Sequence, residues 1–434
     1  MINYKKNIRL IFFDINLIEK INFSILLLFP VLLILGKSLL NLAVIILVLS
    51  CTILIIKKKI NFFHNVENIL FFIFFLYVSL NALFNFTSFE NFLKSIGLFR
   101  YIFFSIVIAY TLSNITEYKF KIIKIFYSTI ILFVILDIIL QYFVGFDVFG
   151  FKPGMCENGN CLRYQGPFGE KLIAGSFLTY FGLTVSLFLF KEKNLNLLLL
   201  IFGLVIIITG DRSPFITYLI FFFIYLVVSK QKIKKKIFTL FLFFTIFFIL
   251  INYSSSLKVR YIEFLKKVSN SEKGKIDYSF NYSNVFDNIK NSPWGKHYQV
   301  AWAMFLDKPI IGHGYNSFPT KCRDYERITN TDVGLHPGCS THPHNAFLEI
   351  LAEQGLVGFF ILNVIIIYIL KKIFHHKFIN KNIKIKFILS GILFLAFFFP
   401  LKPTGSLFTT WLGTLTFFVY SFYLFFLGKD KSIN

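Results

Sequence analysis

The sequence predicts an all-α polytopic membrane protein with about twelve transmembrane helices and one large extracytoplasmic loop between the ninth and tenth spans. The 434 residues are 56% hydrophobic and 20% aromatic, and only 15% are charged, which is too apolar for a soluble domain of this length. Apolar stretches long enough to cross a bilayer recur along the chain, and lysines collect in short runs between them.

Twelve such stretches can be read from the sequence. They lie near residues 20–36, 38–56, 68–84, 95–113, 125–144, 170–190, 194–209, 213–229, 237–252, 345–370, 387–401 and 405–427. Each is about 17 to 25 residues long once its flanks are counted, which is the length of a membrane-spanning helix.

The lysine runs predict the orientation of these spans. If the amino terminus is cytoplasmic, alternation places every lysine-rich connection on that side: residues 57–59, 119–124, 191–193, 230–236, 371–386 and 429–431. This arrangement follows the positive-inside rule. The net charge of +23 is therefore explained by topology, and it does not predict a nucleic-acid partner.

The amino terminus carries Lys5, Lys6 and Arg9, but charged residues interrupt the apolar run that follows, and no small-residue cleavage site comes after it. We therefore expect no cleaved signal peptide. Residues 8–19 are expected to form a short amphipathic helix on the membrane surface.

The predicted organisation has three parts. Residues 1–252 form a membrane domain with spans one to nine, residues 253–343 form an extracytoplasmic cap, and residues 344–434 form the last three spans. Within the cap, the amphipathic runs Leu257–Val268 and His297–Leu306 are typical of helices.

The densest polar cluster runs from Cys339 to Asn345 and leads directly into an apolar helix. His342 and His344 therefore lie at a helix amino terminus, where unsatisfied N–H groups and the helix dipole favour anions. A histidine there can act as a general base on a sugar hydroxyl, or it can simply cap the helix together with Asn345. The His342–His344 spacing does not match known zinc patterns, so no metal is predicted.

A second cluster, Gly210 to Pro214, breaks the chain between two spans at the outer surface. Arg212 is costly at that depth unless it is paired or bound, so the alternatives are an anion site and an ion pair with Asp211. Five of the seven arginines fall in outer segments: Arg163, Arg212, Arg260, Arg323 and Arg327. Their planar guanidinium groups suit bidentate binding of phosphate or carboxylate.

A third cluster contains Lys296 and His297, followed by Gly312 and Gly314. These glycines flank a turn that can bring the backbone close to a ligand. The cysteines of the outer segments are placed to form the disulfides Cys156–Cys161 and Cys322–Cys339, with four free thiols as the alternative.

Three of these elements resemble the superfamily of O-antigen ligases and Wzy-type polymerases. His344-Asn345, nine further residues, Gly355 and Gly358 match its His-Asn motif. The segment from Asp307 to Phe318 resembles its Pro-Leu-Leu-Gly-x-Gly element, and Gly210 to Ser213 resembles its Ser-Arg break between spans. The direct resemblance covers about residues 195–370.

The resemblance implies a GT-C-like, metal-independent and cofactor-free glycosyltransferase of the bacterial inner membrane, with both termini cytoplasmic and a periplasmic active site. Its donor is a glycan linked to undecaprenyl pyrophosphate, and its acceptor is a hydroxyl of lipid A-core or another glycan. His344 then corresponds to the family's base and Arg212 to its first arginine. The second family arginine is absent, and Lys296, His297 or Arg163 are the candidates for its role, with His342 and Asn345 supporting the base.

Two alternatives stay open at this point. A polymerase that extends lipid-linked repeat units shares the donor and the site. A polysaccharide-precursor transporter also has about twelve spans, but it needs polar residues at the membrane midplane, where only Asp137 is clearly placed, while the role of Arg100 is open.

Overall fold

The computed structural model describes residues 14–157, 160–263, 292–329, 331, 338–400 and 402–431, which are mostly helical. The helices of the first half are α1 (Ile15–Leu35), α2 (Lys37–Ile56), α3 (Val66–Phe84), α4 (Phe89–Ile96), α5 (Arg100–Ser113), α6 (Glu117–Val144), α7 (Ala174–Leu189) and α8 (Glu192–Ile208). Those of the second half are α9 (Arg212–Val228), α10 (Ile233–Tyr253), α11 (Ser255–Lys258), α12 (Pro293–Asp307), α13 (Phe318–Ile328), α14 (Ala346–His375), α15 (Lys381–Leu395) and α16 (Thr410–Lys431). Strands β1 (Gly154–Glu157) and β2 (Asn160–Arg163) form a hairpin between α6 and α7.

The described helices confirm a polytopic all-α membrane protein. Eight segments within the described residues are long and apolar enough to cross a bilayer, namely α1, α2, α3, α4 with α5, α6, α10, α14 and α16. Helices α7, α8 and α9 are shorter but apolar, and α15 has 15 residues. Each of the twelve predicted stretches overlaps one of these helices, while the number that crosses the bilayer stays a prediction.

Several helix boundaries differ from the predicted ones, and at α6 and α15 polar capping residues start the helix earlier than hydropathy indicates. Helix α6 begins at Glu117, where the Thr116 side chain accepts a hydrogen bond from the Lys119 N–H. Helix α15 begins at Lys381 after the Asn380 cap and ends at Leu395, so the predicted span 387–401 is displaced. Residues 15–19 belong to α1, so the expected separate surface helix over 8–19 is wrong for these residues; residues 8–13 lie outside the described part.

Helix α16 lies at the centre of the bundle, packed against α5 and α15. Nearly all of its side chains are buried, although its sequence is no more apolar than that of the other spans. The Phe417 ring stacks on Tyr101 of α5 with the centroids 5.4 Å apart. Aromatic packing of this kind explains how a bundle so rich in phenylalanine fills its interior.

Helix α14 is interrupted at Gly355, and the turn after α12 fills the break. Gly355 has φ 64°, so the normal helical bonds from Leu356 and Val357 to Ala352 and Glu353 are not made. Instead, the Leu356 and Val357 N–H groups donate to the carbonyls of Pro309 and Ile310, at 2.8 and 3.2 Å.

The two carbonyls that the break leaves unused are satisfied by the same turn. The Ala352 carbonyl accepts from the His313 N–H at 3.0 Å, and the Glu353 carbonyl accepts from the Gly314 N–H at 2.8 Å. Gly312 and Gly314 therefore bring the backbone close to α14, and the expected close approach to a ligand is replaced by this contact. The two glycine elements that were predicted separately form one interlocked unit.

We expect Gly355→Ala to destabilise the protein strongly. An alanine Cβ would lie 2.3 Å from the Ile310 carbonyl oxygen, and the positive φ disfavours any L side chain. The cost should be at least about 2 kcal/mol, measured as a lower melting temperature of the purified protein.

Gly97→Ala is the matched control for this change. Gly97 has φ −57°, and nothing lies within 4 Å of a Cβ placed there. Its variant should melt at the temperature of the unmodified protein. Equal melting of the two variants would contradict the interlock.

Both predicted disulfides are present. Cys156–Cys161 joins the directly opposed residues of β1 and β2. Cys322–Cys339 ties α13 to the segment that precedes His342. The second bridge is part of a small apolar cluster with Val300, Ala301, Met304, Phe318 and Ala352, which joins α12 and α13 to the amino-terminal end of α14. The described part of the cap is thus fixed to the membrane bundle.

Candidate active site

A cavity of about 530 Å³ lies between the start of α9, the turn after α11, the start of α12 and the loop before α16. Its lining combines three arginines with one histidine and aromatic side chains. The described lining residues are Arg163, Leu172, Ser176, Asp211, Arg212, Ser213, Pro214, Ile216, Arg260, Ser292, Trp294, Tyr298, His344, Pro403, Thr404 and Gly405. Six segments that are separate in the sequence therefore meet at one site.

Arg163 lies at the end of β2 and pairs with Asp211, the residue before α9. The other Asp211 oxygen accepts from the Gly175 N–H at 3.0 Å, and Arg163 also donates to the Leu172 carbonyl at 3.3 Å. The alternative of an ion pair between Asp211 and Arg212 is therefore wrong, since Arg163 holds this carboxylate. The charge of Arg163 is therefore neutralised by Asp211.

Arg212 and Arg260 are oriented by backbone carbonyls. Arg212 Nε donates to the Arg260 carbonyl at 2.9 Å, and Arg260 Nε donates to the Gly210 carbonyl at 2.8 Å. The guanidinium carbon of Arg212 lies 5.8 Å from the centroid of the Trp294 ring. Because these carbonyls hold the Nε atoms, the planes of both guanidinium groups are set by the backbone.

The cluster has more positive charge than its carboxylate can neutralise. Three arginines share the cavity with Asp211, which is its only described acidic lining residue. Burial, and next the nearby Arg163 charge, lower the pKa of Arg260. An anion bound between Arg212 and Arg260 would relieve this repulsion.

His344 lies on the wall of the cavity among two other imidazoles. Its ring centroid is 4.1 Å from that of His342 and 5.2 Å from that of His297. Burial, followed by the proximity of His342 and His297, lowers the pKa of His344 to about 3. The pKa of His342 is lowered to about 4, mainly by burial. Both rings are therefore neutral at pH 7, the state in which an imidazole can accept a proton.

The backbone of His344 has an unusual conformation, which sets the direction of its side chain. Its φ is 55°, which few residues other than glycine adopt, and its carbonyl accepts from the Thr404 N–H at 2.8 Å. Strained backbone of this kind concentrates at functional sites. Here it links the histidine to the 403–405 segment, which also lines the cavity.

Asn345, and not His344, caps helix α14. The Asn345 side-chain oxygen accepts from the N–H groups of Phe347 and Leu348 at 3.0 and 3.1 Å, and its amide donates to the Pro400 carbonyl. Two N–H groups of this helix end are thus already used. The arginines offer a stronger anion site than the helix end does.

The structure brings together Arg163, Arg212 and His344, with His342 and His297 in contact with the His344 ring. His297 is held by a 2.7 Å hydrogen bond between its Nδ1 and the Gly338 carbonyl. Lys296 lies one residue before His297 on α12, and it is not among the described residues that line the cavity. Within the described part of the chain, no three His, Cys, Asp or Glu side chains are grouped to hold a metal ion.

Sequence reasoning missed two cationic residues. Arg260 was noted only as one of the outer arginines, and its place in the cavity depends on the turn Val259–Glu263 folding back towards Gly210. Lys402 precedes the lining residues 403–405 and is 2% exposed; it donates to the Tyr180 and Thr217 hydroxyls at 3.0 and 2.9 Å. Among the described residues its ammonium has no ion-pair partner.

Asp137 and Arg100, the two intramembrane charges whose roles the sequence leaves open, have structural partners. Asp137 accepts from the Val148 N–H at 2.7 Å and fixes the loop after α6. Arg100 donates to Asn41 and Thr410 at 3.0 and 3.2 Å, where α2, α5 and α16 meet. They do not pair with each other.

A family model described as O-Antigen ligase matches residues 197–363. The matched region contains Arg212, Arg260 and His344, and also both halves of the interlock at Gly355. No curated protein matches the chain. The family match, with the apolar helices and the order of the three motifs, supports the O-antigen ligase superfamily and indicates a multi-pass membrane enzyme of the ligase or polymerase type.

Proposed function

We propose that the protein is an O-antigen ligase, which transfers a glycan from undecaprenyl pyrophosphate to a hydroxyl of lipid A-core or a similar acceptor. The single observation that carries this proposal is that one cavity combines the arginine cluster with the neutral His344. The reaction needs a site for a doubly charged leaving group next to a base. In this proposal the arginine cluster supplies the first and His344 the second.

The donor pyrophosphate binds between Arg212 and Arg260. Two guanidinium groups held by backbone carbonyls can each grip phosphate oxygens bidentately and stabilise the charge that develops on the leaving group. Arg260 is thus the second pyrophosphate-binding residue, the role for which the sequence suggested Lys296, His297 or Arg163. Arg163 holds Asp211 in place, and the buried Lys402 adds positive potential behind the 403–405 segment.

His344 is the general base. It takes the proton of the acceptor hydroxyl while that oxygen forms a bond to the anomeric carbon, and the bond from this carbon to the pyrophosphate oxygen breaks. The leaving group departs as undecaprenyl pyrophosphate, and the direct displacement inverts the anomeric configuration. Cofactor and metal have no part in this scheme.

Donor binding also prepares the base. An imidazole with a pKa of about 3 is a weak base, but an anion nearby favours its protonated form and raises its pKa. His344 therefore becomes more basic once the pyrophosphate occupies the cavity. His342 and His297 complete its surroundings, and Asn345 fixes the helix that follows.

The proposed topology places both termini in the cytoplasm and the cavity on the periplasmic face of a bacterial inner membrane. The lysine runs all lie at the helix ends opposite to the cavity, which is the basis of this orientation. The described residues of the proposed cap, 253–263, 292–329, 331 and 338–343, then lie at the outer end of the bundle.

Purified protein in detergent tests the function. It is mixed with an undecaprenyl pyrophosphate-linked glycan, a chelator and either lipid A-core or a second lipid-linked glycan as acceptor. We expect transfer to lipid A-core, with release of undecaprenyl pyrophosphate and an inverted linkage. Transfer to neither acceptor, or transfer that occurs only when the chelator is left out, would overturn the proposal.

The same assay separates ligase from polymerase. Transfer only to the second lipid-linked glycan would identify a polymerase. Deletion of the gene gives the cellular counterpart. Loss of a ligase leaves lipid-linked polymer that is not joined to the core, whereas loss of a polymerase leaves core that carries a single repeat unit.

A further inference from the structure

A second cavity, of about 490 Å³, lies at the end of the bundle opposite to the active-site cavity. It is bounded by the junction of α5 and α6, the end of α7, the start of α15 and the end of α16. Its described lining residues are Leu112, Ile115, Glu117, Phe120, Phe188, Asn380, Asn382, Ile383, Lys386, Phe425, Phe426 and Lys429. The reaction proposed above uses none of them.

Two ammonium groups face this cavity, and one belongs to a largely buried side chain. Lys386 Nζ donates to the Phe190 carbonyl at 3.3 Å and lies 6.0 Å from the centroid of the Phe426 ring. Among the described residues it has no ion-pair partner. Lys429 lies over the Phe425 ring, with its ammonium 5.2 Å from the centroid.

The described lining offers little acidic charge to Lys386. The described lining includes one carboxylate, that of Glu117, which is 84% exposed and pairs with Lys121 at 3.2 Å. At the rim, the Lys230 ammonium donates to Asn382 at 2.8 Å and adds a third positive charge. The described side chains at this cavity therefore carry more positive than negative charge.

The rest of the wall is apolar. Phe120, Phe188, Phe425 and Phe426, with Leu112 and Ile115, form a surface that continues from the charged rim between the helices. A small hydrated anion gains nothing from such a surface. A molecule with an anionic head and hydrocarbon chains matches both parts.

We propose that this cavity binds an anionic phospholipid, with its phosphate between Lys386 and Lys429 and its acyl chains along the phenylalanines. Basic pockets between transmembrane helices at the membrane surface are suited to such headgroups. The lipid would brace α15 and α16, the helices that flank the loop carrying Lys402 to Gly405. It is therefore a structural ligand that is independent of the proposed glycan donor.

Native mass spectrometry of the full-length protein in neutral detergent tests this site. Phosphatidylglycerol and phosphatidylcholine with the same acyl chains are added separately, and bound lipid is counted. We expect phosphatidylglycerol to bind at least about tenfold more tightly, and the double variant Lys386→Gln, Lys429→Gln to lose this preference. Inorganic phosphate at millimolar concentration should not displace the lipid.

The matched control is Lys371→Gln, Lys377→Gln, which removes two exposed lysines at the same end of the bundle. It should bind phosphatidylglycerol as the unmodified protein does. Equal binding of the two lipids, or equal loss in the control, would overturn the proposal, and displacement by phosphate would identify a site for free anions instead. If the double variant does not fold, Lys429→Gln alone should still weaken binding, and unchanged binding would overturn the site.

Discussion

Replacing His344 should slow glycan transfer strongly while the protein stays folded. We expect the rate at pH 7 to fall by about 10²-fold to 10⁴-fold, which is the usual contribution of a general base. His344→Ala removes the imidazole, but it also places alanine at φ 55°. His344→Asn is the sharper variant, because asparagine tolerates this left-handed conformation and cannot act as a base at neutral pH.

Helix α14 should be unaffected by either change, since Asn345 provides its cap. Initial transfer rates are compared at equal amounts of folded protein, with His375→Asn as the control, because His375 is exposed at the other end of α14. A His344→Asn enzyme that transfers within threefold of the unmodified rate would refute the assignment of the base.

Replacing Arg212 should cost about 10²-fold to 10³-fold in transfer, as loss of one fixed donor to a developing negative charge does. Arg212→Lys should recover little of this, because lysine keeps the charge but cannot bind two phosphate oxygens in one plane. Arg260→Lys should behave similarly. Arg323→Ala, which removes an exposed arginine of α13, should leave the rate unchanged.

Arg163 should differ from these two arginines in its effect on stability. Arg163→Ala leaves the buried Asp211 carboxylate without its ion-pair partner, which should destabilise the fold by about 3–5 kcal/mol. Arg212→Ala should not lower the melting temperature to this extent. If Arg163→Ala melts normally and fails only in transfer, Arg163 is a phosphate contact and its structural assignment is wrong.

The helices were predictable because each span follows from a local property of the sequence. Apolar length and lysine placement located all twelve stretches, and the errors came at polar first turns such as those at Thr116 and Asn380. A hydropathy window does not register a capping side chain. The interlock at Gly355 was not predictable for a different reason. It joins residues 309–314 to residues 352–357 through backbone hydrogen bonds, which leave no pattern in the side chains.

The site was predicted in part. His344 and Arg212 stand out because a histidine at a helix start and an arginine between two spans are both unusual. Arg260 carries no such local signal, since its position depends on the fold of the turn after α11. The partner of Asp211 was likewise not predictable, because the hairpin brings Arg163 to it from 48 residues away.

Donor binding by the purified His344→Asn and Arg212→Ala proteins tests the central claim most directly, which is that one cavity separates leaving-group binding from proton transfer. Binding of a lipid-linked pyrophosphate glycan is measured without acceptor. We predict that His344→Asn binds the donor within about threefold of the unmodified protein, whereas Arg212→Ala binds it at least about tenfold more weakly. Unchanged binding by Arg212→Ala, or equal loss in both variants, would contradict the claim.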